Sequence, residues 1–550
     1  MAETTSDPLA TALDLAGTPR PSVRDATLDV LRERRMHTIF ANPGSTEVPF
    51  LVGLPPDLEF VLGLHEASVV GLASGFALAT GTPAFVLLHT TAGLGNAVGA
   101  LATARVNRAP LVVVVGQQDR RHLAFEPFLA GRLQGLAGDY PVWVETPVRP
   151  QDVPGAIARA WHEANAGLGP ALVIVPMDDW LAEADTDREA PVPQRLVRAS
   201  AADETALAAL VELLDGARSP VLVVGAGADD PATWSALEAL AERLACSVWQ
   251  ESFGGRAGFP QDHPRFAGHQ PADRPRLRET LAAHDVVLAV GAPIFRQYPY
   301  ASGRLLVEGT RAAIVTADAA EAHRSPAELA VVAPPAAVCA ALARRVAQRE
   351  AAAAPSRPPV EPPAGGALRA GHVFDALAQR LPADAILVEE TPSSRPELHA
   401  RIPARSHLGF VSAAMGGLGF ALPAAAGLRL GAPTRPVVAV VGDGSSLYSI
   451  QALWSAMRYR AGVLFIVLHN GGYAVMDRLA ESQSDGGRPW PSFDEIDVTA
   501  IARGFGCPAR RVDDHATLLA LLDEVVPTLA DRDEPLLVEV VVEPDETFEP

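Results

Sequence analysis

The chain has 550 residues, 48% of them apolar, enough for about three folded domains with cores of their own. Its formal net charge is −20 and no long basic run interrupts it, which argues against nucleic acid or an anionic membrane surface as a partner. All 45 basic side chains outside histidine are arginine, so no lysine is present to form a Schiff base or to serve a P-loop.

Residues 1–20 lack the basic and apolar regions of a signal peptide and read as a disordered leader. No later stretch approaches a membrane-spanning length. From 21 to 190, helical patterns alternate with short apolar runs at Thr38-Ile39-Phe40, Ala84 to Leu88, Leu111 to Val115 and Ala171 to Val175. A second set, between 200 and 350, has runs at Val221, Cys246, Val286 and Ala313. Residues 351–370 are rich in Ala and Pro and read as a linker. A third set, 371–545, has runs at Ala385, Val437, Val463 and Leu536. Helices alternating with buried-type strands predict an α/β chain of three doubly wound parallel-sheet domains. Gly225-Ala226-Gly227 begins like a dinucleotide fingerprint, but Ala228-Asp229-Asp230 follows, so a structural turn is expected there. Cys246, Cys339 and Cys507 are far apart without metal-ligand spacing, which predicts reduced thiols and a cytoplasmic location.

The chemistry collects at strand ends, where open α/β sheets bind ligands. In the first domain, four ends bring Asn42-Pro43-Gly44-Ser45, Glu66, His89 and Gly116-Gln117-Gln118 to one edge. Glu66 opens a helix of small and apolar residues, and His89 is suited to moving a proton near neutral pH. In the third domain, Val437 to Val441 runs into Gly442-Asp443-Gly444, and Val463 to Leu468 runs into His469-Asn470-Gly471-Gly472. A carboxylate, a carboxamide and a backbone carbonyl on neighbouring strands make a hard-cation site suited to Mg²⁺, with room for phosphate oxygens.

These stretches resemble the thiamine-diphosphate enzymes. Three further segments narrow the resemblance to the benzoylformate decarboxylase family. They are Pro83-Ala84-Phe85 with Gly95-Asn96-Ala97, Val290-Gly291-Ala292-Pro293 with Phe295-Arg296, and Gly416-Gly417-Leu418-Gly419-Phe420-Ala421-Leu422-Pro423-Ala424. The resemblance implies pyrimidine-binding, central and diphosphate-binding domains, in that order. It implies thiamine diphosphate and Mg²⁺ (or Ca²⁺) as cofactors, and a homodimer or homotetramer with active sites between subunits. The substrate would be a small 2-oxo acid, decarboxylated to an aldehyde and CO₂. Alternatives are a carboligase that takes an aldehyde co-substrate, or a catalytically silent paralogue.

By the same resemblance Glu66 serves the aminopyrimidine, the Gly416 carbonyl its amino group, and Leu418 the bend of the cofactor. Asp443, Asn470 and the Gly472 carbonyl hold the metal. Gly444, Ser445, Ser393 and Tyr473 line the cofactor, and Ser45 and His89 meet the substrate. Three departures stand out. His469 replaces an asparagine beside the metal ligand, and Tyr298 falls where the family has a second active-site histidine. Among the pocket positions Phe128, Leu129, Ser412, Val475, Met476 and Leu479, the family carries aromatic residues at 412 and 479. Residues 477–491, polar and rich in Gly and Pro, read as a lid loop.

Overall fold

The computed structural model describes residues 20–185, 192–193, 196–197, 203–293, 296–350, 355, 367–481, 483 and 488–544. The leader up to residue 19 and most of the expected linker lie outside the described residues, as do Ile294 and Phe295. Each predicted apolar run forms a strand of a parallel sheet. Both faces of such a sheet are covered by helices, so its strands are written as continuous Val and Leu rather than alternating.

The first sheet contains β1 (Thr38–Asn42), β2 (Glu59–Leu62), β3 (Ala84–His89), β4 (Leu111–Gln117), β5 (Trp143–Glu145) and β6 (Pro170–Pro176). Its spatial order is β2-β1-β3-β4-β6-β5. The central sheet contains β7 (Pro220–Val224), β8 (Ser247–Gln250), β9 (Phe266–His269), β10 (Val286–Val290), β11 (Arg311–Thr316) and β12 (Leu329–Val332). Its order is β12-β11-β10-β7-β8-β9. The third contains β13 (Ile386–Glu390), β14 (Phe410–Ser412), β15 (Val437–Gly442), β16 (Leu464–His469), β17 (Ala509–Val512) and β18 (Leu536–Val541). Its order, β14-β13-β15-β16-β18-β17, repeats that of the first sheet strand for strand. In both, the order reverses beside the first strand, between β1 and β3 and between β13 and β15, the position where doubly wound sheets open a crevice. Asn42 and His89 end one such pair; Glu390 and Gly442 end the other.

The chain forms two compact units, Met1–Leu196 and Val197–Pro550. The second holds both the central and the third sheet. Gln261 joins them by exchanging two hydrogen bonds with Ala404, each 2.9 Å. A buried Arg256–Asp229 pair at 3.3 Å adds to the junction, with Asp229 also accepting the Leu408 N–H. The Gly225–Gly227 turn is packed against another turn. A Cβ on Gly225 would meet the Ala292 methyl at 2.8 Å and the Gly291 carbonyl at 3.0 Å, leaving no room for a phosphate. All three cysteines are free and buried, and burial pushes each thiol up to about 12, which makes them unreactive. Among the described residues no helix is long and apolar enough to cross a membrane.

Candidate active site

In the first unit, Glu66 begins the helix Glu66–Thr80, which is buried nearly all round and ends at Gly81 in the left-handed region. Its surroundings differ from the apolar setting that the sequence suggests. Asn42, at the end of β1, donates to one carboxylate oxygen at 3.1 Å. Asn96, on the helix Thr90–Val106, donates to the other at 3.0 Å. Two amides thus hold the carboxylate plane from opposite oxygens.

His89 ends β3, and its Nδ1 lies 2.9 Å from Thr46 Oγ1 and 3.1 Å from Glu47 Oε2. Glu47 is fully buried, bonded to the Thr46 hydroxyl and accepting the Gly44 N–H at 2.8 Å. Burial raises its carboxyl above the ordinary range, opposed by those bonds and by His89. Two glycines make the space. A side chain on Gly44 would run into the His89 ring, and one on Gly116 would run into Glu47 and Thr46. Ser45 is exposed beside this group. Gln117 braces the following segment through Gly131, donating to its carbonyl at 2.6 Å and accepting its N–H at 3.0 Å. That segment carries Leu129 and Phe128, the latter 88% exposed.

In the second unit, the ends of β15 and β16 meet through Asp443. One carboxylate oxygen accepts the Gly444 N–H at 2.7 Å; the other accepts those of Asn470 at 2.9 Å and Gly471 at 2.7 Å. A carboxylate has about four lone-pair sites, so one remains, on Oδ1. Burial raises the Asp443 carboxyl despite these bonds. The nearest imidazole, His469, stands 3.6 Å away and 3.2 Å from the buried Glu539. Asn470 Oδ1 accepts the Gly472 N–H at 3.2 Å and likewise keeps a lone pair. This donor set fits a divalent cation that finishes its shell on a ligand's phosphate oxygens. A cavity of about 850 Å³ opens over it. Asp443, Gly444, Ser445, Asn470, Gly472 and Tyr473 line one side, with Ser393, Gly416 and Leu418 on its wall.

Residues 21–137, 207–342 and 397–540 match the N-terminal TPP binding, central and C-terminal TPP binding domains of the thiamine pyrophosphate enzymes. A benzoylformate decarboxylase of Pseudomonas aeruginosa is 38% identical over 96% of this chain and all of its own. The thiamine diphosphate-dependent 4-hydroxybenzoylformate decarboxylase of Rhodococcus jostii superposes with a TM-score of 0.90 at 36% identity, covering 96% of this chain and 100% of that one. The benzoylformate decarboxylase of Polynucleobacter necessarius gives 0.89 at 32%, with the same coverage. The chain belongs to the benzoylformate decarboxylase family of thiamine-diphosphate enzymes.

Within that family's frame, the cofactor and metal positions expected in the third domain all reach one cavity. The pocket positions divide. Val475 and Met476 line the cavity, whereas Leu479 and Ser412 are not among its lining residues. Ser412 is buried at the end of β14, its N–H given to the Gly255 carbonyl at 2.9 Å. Tyr298 stands in the central domain, 60% exposed, outside that lining. The lid reading needs correction: Asp477 to Glu481 belong to the helix Ala474–Glu481, and residues 482 and 484–487 lie outside the described residues.

Glu47, the paired amides on Glu66, and Glu390 escape the sequence reading. Glu390 ends β13 fully buried and accepts the N–H groups of Gly419, Phe420 and Ala421 at 2.7, 2.9 and 2.8 Å. It thereby anchors the loop that bears Gly416 and Leu418. Burial lifts its carboxyl to about 7 against those three bonds. The folded chain therefore keeps a proton that the unfolded chain gives up. The stability this adds is full below the unfolded value, about 4.3, and is lost as pH rises through about 7. Glu390→Gln lacks this loss. Its melting temperature relative to the parent is expected to rise between pH 5 and pH 8, as thermal unfolding at both would show; a constant difference would contradict the assignment.

Proposed function

We propose that this protein decarboxylates 2-oxo acids to aldehydes, using thiamine diphosphate and Mg²⁺ or Ca²⁺, as a cytoplasmic homodimer or homotetramer with active sites between subunits. The observation that carries the reading is the presence of both halves of the site in one family-length chain. One half is a carboxylate held by two amides; the other is a carboxylate with a single lone pair left beside a large cavity.

The bound cofactor supplies the electron sink for loss of CO₂. Glu66 holds a proton at the pyrimidine nitrogen, and the Gly416 carbonyl accepts from the neighbouring amino group. Asp443, Asn470 and the Gly472 carbonyl hold the metal, with Ser393, Ser445 and the Gly444 N–H available to the diphosphate. Ser45 orients the substrate carboxylate. His89, held by Glu47 and Thr46, moves the proton that the product needs. A screen of aromatic and aliphatic 2-oxo acids with both cofactors, detecting CO₂ and aldehyde, tests the reading; absence of CO₂ from every acid overturns it.

Tyr298 favours examining carboligation beside decarboxylation, because a phenol stands where the family has an imidazole. If Tyr298 donates the late proton, Tyr298→Phe slows aldehyde release more than CO₂ loss. Tyr298→His raises simple decarboxylation over carboligation. Pre-steady-state measurement of both steps checks this, and equal slowing of the two assigns the proton elsewhere.

A further inference from the structure

Glu539 interrupts the apolar run Leu536–Val541 and is fully buried, where a carboxylate is costly unless it is paired. The strand register supplies its partners. Val467 on β16, Glu539 on β18 and Arg511 on β17 lie side by side, so their side chains share one face of the sheet. His469, two residues after Val467, belongs to the same face. Arg511 donates to Glu539 Oε1 at 2.7 Å, and Oε2 accepts the Thr499 N–H at 3.2 Å. His469 Nδ1 stands 3.2 Å from Glu539 Oε1 and 3.6 Å from Asp443 Oδ2. A half-exposed arginine is thereby connected to Asp443 across four adjacent strands, β17, β18, β16 and β15.

Facing two carboxylates, His469 Nδ1 carries its hydrogen, because a bare ring nitrogen would oppose two acceptors. Neither contact has hydrogen-bond geometry, so the ring acts through the positive edge it presents and through its bulk. Asp443 Oδ2 already accepts the Asn470 and Gly471 N–H groups. His469 is not among the residues that line the cavity, so it meets Asp443 from outside it. It confines the Oδ2 side of the carboxylate and leaves the free lone pair on Oδ1. The family's asparagine at this position is smaller, and histidine is this chain's departure. We propose that His469, held by Glu539 and Arg511, is a positioning residue that fixes the Asp443 carboxylate for its divalent cation. The proposal rests on Asp443 as a metal ligand and adds the group that orients it.

The test measures thiamine diphosphate binding to the full-length protein by calorimetry, with Mg²⁺ and with Mg²⁺ removed by EDTA. The ratio of the two affinities is the readout. A role in folding alone would shift the melting temperature and leave that ratio unchanged. His469→Ala and Glu539→Gln are each expected to lower the ratio about tenfold or more, the range for groups that orient a metal ligand. Arg511→Ala should lose less, because its side chain is half-exposed. His469→Asn, which returns the family's carboxamide, should recover most of what alanine loses. If His469→Ala does not stay folded, Glu539→Gln and Arg511→Ala carry the comparison. A parent-like ratio in His469→Ala and Glu539→Gln, with the ratio lost in Asp443→Ala, overturns the proposal and keeps Asp443 as the ligand. A parent whose affinity is the same with and without Mg²⁺ overturns both.

Discussion

Asp443→Ala is expected to lower affinity for thiamine diphosphate about a hundredfold or more, with activity lost at ordinary cofactor concentrations. The carboxylate has two tasks. It ties Gly444 on the β15 side to Asn470 and Gly471 on the β16 side through three N–H bonds. It also keeps one lone pair for a cation. Hydrogen bonds to a charged group contribute about 1.5–3 kcal/mol each, while burying an ion costs several kcal/mol. That the carboxyl is raised says burial wins, and a divalent cation would restore the charged form. Alanine removes the proposed ligand of the cation and leaves three backbone N–H groups without their acceptor, so some loss of stability is expected beside the loss of cofactor. Asp443→Asn separates the two effects in part: its one oxygen still accepts from Asn470 and Gly471 and carries no charge, while its amino group faces the Gly444 N–H. Calorimetry of cofactor binding with and without Mg²⁺ checks the result. Parent-like affinity in Asp443→Ala would remove Asp443 from the site.

The division between what the sequence discloses and what it conceals follows from the range of each signal. Strand ends are legible because a buried parallel strand is a continuous apolar run, and its end is the first polar or glycine residue. Asp443, Asn470 and His89 are found in this way. Glu47 is different. Following Gly44-Ser45-Thr46, it reads as one more turn residue, and its burial depends on Gly116 at the end of β4. A glycine after Leu111 to Val115 is the available signal, but it names a partner only once β1, β3 and β4 are known to be neighbours. The bond that the Trp490 indole N–H donates to Asp477 is concealed for the same reason, since it joins residues 13 apart in the chain. The lid boundary is misplaced because Asp477, Arg478 and Glu481 look like loop residues. With Val475, Met476 and Leu479 on the same helix they form the polar side of an amphipathic helix.

Glu66→Gln is expected to bind thiamine diphosphate with near-parent affinity and to turn over about a hundred- to ten-thousand-fold more slowly, the range for losing a positioned proton-transfer group. The side-chain size is unchanged, but the amide cannot take up and return a proton at the pyrimidine nitrogen. The two asparagines sharpen the expectation. Both Asn42 and Asn96 donate to the carboxylate, one to each oxygen. Glutamine has one oxygen, so its amino group would face one of these donors, and that asparagine must turn its own amide over. The more exposed Asn96 can turn at lower cost than Asn42, which sits at the end of β1. Adding Asn96→Asp to Glu66→Gln should therefore accommodate the new amide without restoring turnover, because the hydrogen bonds return while the proton carrier does not. Deuterium exchange at the reactive carbon of the bound cofactor, followed by NMR, isolates this step from substrate binding. Slow exchange in Glu66→Gln and in the double variant places the defect in proton transfer. Parent-rate exchange in either would show that Glu66 is held by its two amides for shape alone.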